Sequence, residues 1–411
     1  NLLLVTLGVG SLYLINLFFM KPFSIDHFLA KELILDLTSS PEELTYVGVL
    51  DDYNWLTNHN SKLSIPKETD IEDGIEHTEK AIKTLYKYDD SRLSDTQIST
   101  KKIAIFDYEN HLRELRDFPY LDYPLNQIGG IHLNTIEFMN DVHPIRKKSE
   151  AEDFIARTDL IKEVYNGVLD DLERQAMNNI YPPEFVYGHV IKQLNEFIEY
   201  KDEEHPLYTQ FMSKIEKLDL NQEDTVYFEN EIRRSINESV TPGFELLRDF
   251  MRKTQQYANK NHGIWSQPGG DEYYKLKIRT FTTTDYSPEE IHQIGISEVK
   301  RISERMKYIL SSLGYDNTKS VGDLMNELNE NPDFLYADTP DRKEIVVRDY
   351  TEMVEEAYEV MKDYFHTMPE SKVIVKAVPE YSEKTAAGGY YQSPALDLSL
   401  IHISEPTRRL R

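Results

Sequence analysis

The first twenty residues, NLLLVTLGVGSLYLINLFFM, are almost continuously apolar and run directly into Lys21-Pro22. No polar face interrupts them, which fits a buried globular helix poorly. About 20 apolar residues span a bilayer, whereas the core of a cleaved signal peptide usually runs about 7–15. The run therefore predicts an uncleaved N-terminal membrane anchor over residues 1–20, with Gly8-Val9-Gly10 only a weak cleavage site. The chain begins with Asn rather than Met, so a basic leader ahead of the anchor is expected.

Beyond the anchor the spacing of apolar positions is overwhelmingly helical. Ser24–Leu37 and Pro41–Thr57 read as short amphipathic helices divided by Ser39-Ser40-Pro41, followed by Ile71–Tyr88 and Asp95–Leu115. Tyr120–Gly130, YLDYPLNQIGG, is a Pro/Gly loop. Ser149 is placed to cap a long helix carrying Phe154, Ile161, Val164, Val168 and Leu172 on one face. Pro182-Pro183-Glu184 opens another, with Val186, Val190, Leu194 and Phe197. Thr241-Pro242-Gly243 separates two further helices, roughly 223–238 and 244–259. Val373–Val378, VIVKAV, is the best strand pattern in the chain. With no repeat and no low-complexity linker, a single helical body is expected.

Gly269–Met306 is the most distinctive stretch. Its Ser287-Pro288-Glu289-Glu290 spells a helix start: a capping serine, a proline suited to the first turn, and a glutamate able to close the capping box. Ile291, Ile294, Val299, Ile302, Met306, Ile309, Leu310 and Leu313 then repeat at helical spacing up to a stop at Gly314. Upstream, Arg279–Asp285 is β-branched and polar and reads as an extended approach.

Charge narrows the function. A formal charge of -26 leaves no basic face for a phosphate backbone, so nucleic acid is not an expected partner. With no cysteine there is no disulfide frame, no thiolate metal site, no cysteine nucleophile and no cysteine to acylate after a signal. No histidine is followed directly by glutamate, so HExxH is absent, and no GxSxG elbow or phosphate loop stands out. His77 with Glu79, Glu109 with His111, Glu204 with His205, and His292 near Glu289 and Glu290 read as ordinary pairs in an acidic chain. The 27 tyrosines read mainly as packing. These residues by themselves support an exported helical protein and no reaction.

Four blocks in order carry a resemblance: NQIGG (Asn126–Gly130), the Pro182-Pro183 junction, GGDEYYKLKIRTFTTTDYSPEEIHQIGISEVKRI (Gly269–Ile302) and VKAVPEYSEKTAAGGYYQSPALD (Val375–Asp397). The set resembles the bacterial family called domain of unknown function 885, over about Phe23 to Asp397. Members look like zinc-dependent peptidases of the gluzincin type. The resemblance implies a mainly α fold: a large multi-helical body with a deep cleft and a small β element near Val373–Tyr391. It also implies a motif of the form HExxPGHHxQ further on, in which histidines bind zinc and glutamate acts as general base. This chain ends before such a motif, so it is expected to be truncated before the zinc-binding part and inactive. No catalytic or metal residue is assigned, and zinc is expected only in the intact protein. Val373 and Val375, on a strand able to pair with an extended peptide, and Tyr390 and Tyr391 are the implied substrate-binding residues.

After Asp397, Leu398–Arg408 (LSLIHISEPTR) resembles the in-frame translation of a transposase-based sequencing-library adapter. Residues 398–411 are therefore expected to be non-native, and His402 is not counted as a ligand. The expected organisation is an anchor at 1–20, the helical part of a peptidase domain at 21–397, and this tail. The expected function is that of a cell-envelope metallopeptidase fragment, whose intact form takes a peptide substrate. The alternative is a non-catalytic exported helical protein that binds peptides or an envelope partner.

Overall fold

The computed structural model describes residues 11, 13–369, 373–378, 389–392 and 401–405. The fold is mainly α, and the chain divides into two compact units, Asn1–Thr284 and Asp285–Arg411. Most of the predicted anchor, the predicted strand residues beyond Val378 and much of the C-terminal tail lie outside the described residues.

In the first unit, residues 13–19 are helical. They are followed by α1 (Ile25–Ser39), α2 (Asp70–Leu85) and α3 (Asp95–Asp117). Ser24 caps α1, and Ser94 with Gln97 forms a full capping box on α3. Ile25 and Phe28 of α1 are buried with Ala81, Leu85 and Tyr88 in a small core.

The large core belongs to α4 (Lys148–Met177), α5 (Glu184–Glu199), α6 (Pro206–Ile215), α7 (Gln222–Ser235) and α8 (Thr241–Thr254). Every apolar position predicted to share a face on α4 and α5 is buried. Aromatic rings run through this core: Phe154 to Phe211 at 4.9 Å, Phe211 to Phe228 at 6.0 Å, and Phe197 stacked on Phe244 at 5.0 Å.

Four local expectations are corrected. Ser149, expected to cap α4, lies inside it, since the helix begins at Lys148 and has no side-chain cap. The helix expected over Pro41–Thr57 stops at Val47, because Gly48 takes a left-handed conformation (φ 72°). A 3-10 turn at Asp51–Tyr53 and a single turn at Asn54–Thr57 replace it. The break expected at Thr241-Pro242-Gly243 is instead the start of α8, joined to α7 through a π-helical turn at Ile236–Val240. Pro242 falls in the first turn, where its missing N–H costs little. A Cβ at Gly243 would sit 2.9 Å from the Tyr165 ring.

The extended approach expected over Arg279–Asp285 is mostly helix, α9 (Gly270–Thr282). Tyr273 and Leu276 are buried on it against Phe118, Leu121 and Ile180. Thr280 and Thr282 donate their hydroxyls to Leu276 O and Ile278 O one turn back, which satisfies these polar groups inside a helix. The two glycines opening the block have separate jobs. Gly269 is left-handed (φ 74°), and a Cβ at Gly270 would lie 1.8 Å from the Ile264 carbonyl oxygen.

The second unit begins with α10 (Pro288–Ser312), α11 (Val321–Glu330) and α12 (Arg342–Met361). The predicted Ser287–Glu290 capping box is present in both directions. Gly314 (φ 92°) closes α10, with Tyr315 N donating to Leu310 O and Gly314 N to Ser311 O. Among its described residues only Leu310 of α10 is buried, while Val299, Ile302, Ile309 and Leu313 are exposed. A three-stranded sheet follows: β1 (Val373–Ala377), β2 (Tyr390–Gln392) and β3 (Ile401–Glu405), in the order β1-β3-β2. β3 runs parallel to β1 and antiparallel to β2.

Candidate functional site

The four residues implied to bind substrate all fall on this sheet. Val373 and Val375 lie on β1, and Tyr390 and Tyr391 on β2, with β3 between the two pairs. By register Ile403 stands opposite both Val375 and Tyr391. At the usual strand spacing, β1 and β2 are therefore about 10 Å apart. Val375 is buried (6 % exposed), so its side chain packs inward. What β1 can offer a ligand is its backbone. Tyr391 is more than half exposed and presents its ring to solvent. Among the described residues β1 and β2 are the edge strands, and α12 packs on β1.

Among the described residues, no three histidine, aspartate or glutamate side chains converge as metal ligands. The described residues offer no ligand set for zinc, so no hydrolytic step is derived from them. The His/carboxylate neighbours have structural partners instead. His77 pairs with Glu32 at 2.9 Å, Glu79 pairs with Lys83 and Arg116, and Glu109 accepts from the Tyr86 hydroxyl. His205 is buried and accepts from Leu207 N as the cap of α6, a role its sequence neighbours did not signal. His292 is exposed on the first turn of α10.

The densest polar cluster went undetected in the sequence, because its centre, Arg157 on α4, binds backbone atoms of an irregular segment. Arg157 is wholly buried. Its Nε donates to Lys62 O (2.8 Å), and its Nη2 to Thr45 Oγ1 (2.6 Å) and His59 O (2.9 Å). Nη1 donates to His143 Nδ1 at 2.9 Å. The Glu150 carbonyl, 3.1 Å from His143 Nε2, can only accept, so that nitrogen carries the imidazole proton. Around this hub, Asn60 and Arg146 both donate to Asp51, and Arg146 also holds Glu150. Burial lowers the Arg157 guanidinium to about 10. With every arm of the guanidinium engaged, the cluster is a clamp that fastens residues 41–62 to α4.

The NQIGG block has a comparable explanation. Asn126 Oδ1 accepts from Ile128 N and Gly129 N, folding the loop on itself. Gly130 lies so close to Asn126 O that a Cβ would approach to 2.5 Å. Gln193 of α5 then clips the block, donating to Gln127 O and meeting His132 Nε2 at 3.0 Å.

Two buried histidines give this unit a defined acid response. Burial pushes His132 down to about 4. Burial, and then the positive charge of Arg157, hold His143 well below its ordinary range. An unfolded histidine titrates near 6.5, so above that pH neither state binds a proton and the stability is complete. As pH falls from about 6.5 toward 4, the unfolded chain takes up protons that the folded chain refuses, and stability is lost. Urea midpoints are expected to fall through this window and to be flat between about pH 7 and 8. Above that they should rise, as the buried Lys214, lowered to about 8 by burial, sheds its proton in the folded state first. His132→Gln should flatten part of the acid slope.

Comparison with known proteins places these features in a family. The model of the bacterial proteins of unknown function DUF885 matches residues 41–403, so the chain belongs to that family. No curated protein matches it. Among solved structures, a candidate lipoprotein from Colwellia psychrerythraea is similar at TM-score 0.84 and 26% identity, covering 91% of this chain and 65% of that one. A candidate lipoprotein of unknown function from Shewanella oneidensis shares the fold at TM-score 0.54 and 12% identity, covering 90% of this chain and 65% of that one. The chain thus spans about two-thirds of the length of each.

Proposed function

We propose that the intact protein is a zinc-dependent, peptidase-like hydrolase of the cell envelope, to which this chain contributes the helical body and a peptide-holding strand. The observation that carries the peptide-holding role is β1, an edge strand whose outer backbone groups can pair with an extended chain. The enzymatic part rests on the resemblance of the Gly269–Ile302 and Val375–Asp397 blocks to gluzincin-type peptidases. Zinc, in this reading, is held by residues of the intact protein that are not among these 411. Envelope location rests on the apolar run at residues 1–20 and on the description of the Colwellia psychrerythraea relative as a candidate lipoprotein. No helix among the described residues, which leave out residues 1–10 and 12, is long and apolar enough to cross a membrane.

The 411-residue protein is expected to bind extended peptides without cleaving them and to hold no stoichiometric zinc. Metal analysis with a peptide-cleavage assay checks this, and stoichiometric zinc accompanied by hydrolysis would overturn it. The second reading is a non-catalytic exported helical protein that binds peptides or a cell-envelope partner. Sequencing the source locus past Asp397 separates the two. A His-Glu motif with a second histidine and a downstream acidic ligand supports the hydrolase, and its absence supports the binder. The same sequence tests the proposed adapter origin of residues 398–411. The family match overlaps the tail as far as residue 403, and β3 pairs through backbone groups that carry no record of origin. A genuine stop after Arg411 would sink the adapter origin.

A further inference from the structure

The N-terminal end of the first unit carries apolar surface that its own folding does not use. α1 spends one face on the small core, through Ile25 and Phe28. Leu33, Ile34 and Leu35 on the same helix stay exposed, as do Phe18, Phe19 and Met20 just before it. The two sets adjoin, because Phe18, Phe19, Met20 and Leu35 line one groove of about 500 Å³ between this segment, α1 and α2. Lys31 and Lys80 line the same groove. The buried Glu32 beside them is paired by Lys31 at 2.6 Å and His77 at 2.9 Å. Exposed apolar side chains gathered beside a groove and rimmed by polar groups fit an interaction site.

Continuity along the chain identifies the occupant. α1 begins five residues after Met20, the last residue of the apolar run. Five extended residues and nine helical ones place Ile34 within about 30 Å of the end of that run. We propose that Phe18, Phe19, Met20, Ile34 and Leu35 seat the helical body on a bilayer surface, with Lys80 at the level of the lipid phosphates. A lysine stem lies along apolar surface while its ammonium group reaches the headgroups, which suits the exposed Lys80. In a chain of formal charge -26, such a lysine also offsets repulsion from anionic lipid at the point of contact. The seat rests on the reading that residues 1–20 enter the membrane, and adds to it a fixed orientation of the body.

Because the chain has no cysteine, one introduced thiol labels one position. The full chain carrying Ile34→Cys, or Val226→Cys as a control on α7, is labelled with an environment-sensitive nitrobenzoxadiazole dye. It is then reconstituted with vesicles of phosphatidylcholine and phosphatidylglycerol. Flotation reports the anchor, and the dye reports the seat. The expected result is flotation, with a severalfold rise in emission at position 34, quenching there by spin-labelled lipid, and no change at position 226. Flotation with a position 34 still open to aqueous iodide overturns the seat and leaves the anchor standing. Failure to float overturns both. Protection of position 34 without vesicles overturns the seat as well. If independent of protein concentration, it assigns the face to residues 1–10 of the same chain; if it grows with concentration, to a second copy.

Discussion

Arg157→Met is expected to lower the stability of the Asn1–Thr284 unit by about 3–5 kcal/mol, because it strands several buried hydrogen-bond acceptors at once. The substitution keeps apolar volume and deletes every donor of the clamp. It strands the carbonyls of Lys62 and His59 and leaves Thr45 Oγ1 and His143 Nδ1 without the guanidinium. Each stranded buried acceptor costs about 1–3 kcal/mol, and partial relaxation keeps the total below their sum. Arg157→Lys should recover little, since a single ammonium cannot span acceptors placed for a planar fork. Urea unfolding followed by circular dichroism checks this. A lower midpoint at unchanged slope is the expected outcome, and a loss below about 1 kcal/mol would show that the clamp is replaceable. A cycle with Thr45→Ala isolates one arm, and an interaction energy near zero would remove that arm from the account.

Phe154→Ala is expected to cost about 3–5 kcal/mol, the range for deleting a buried aromatic ring. Phe154 is fully buried and touches two systems at once. Its ring lies 4.9 Å from that of Phe211 in the large core, and 5.2 Å from the His143 ring in the clamp, edge to face. The cavity would therefore open beside the hydrogen bond between His143 and Arg157, and the two substitutions should not be additive. Phe154→Leu, which keeps most of the volume, should retain the larger part of the stability. Equal losses for Ala and Leu would mean that ring geometry, and not volume, holds this junction together.

What the sequence disclosed follows from how local each feature is. The faces of α4 and α5 were legible because a repeating apolar position needs only its own helix to be recognised. The capping box of α10 was legible for the same reason, since Ser287 and Glu290 satisfy one another across a single turn. α9 was misread over Arg279–Thr282 because its threonines favour strands by themselves, and the burial of Tyr273 and Leu276 that outweighs this comes from residues far away in the chain. Arg157 was invisible because backbone carbonyls leave no mark in a sequence. On the sheet, the positions of Val373 and Val375 on a strand could be read from β-branching. Their separation from Tyr390 and Tyr391 by β3 could not, since strand order is set by pairing across the chain.

The π-helical turn at Ile236–Val240 has a consequence best expressed as an angular phase. Phe228 and Phe244 both point into the large core, sixteen residues apart on what is otherwise one helical rod. At about 100° per residue, an uninterrupted α-helix would carry the second ring about 160° round from the first, toward the opposite side. The wider turn advances the chain by a smaller angle per residue and takes back roughly half of that error. It works as a phase corrector, equivalent to one extra residue within a regular helix. Conserving the identity of those five residues matters less than conserving their number.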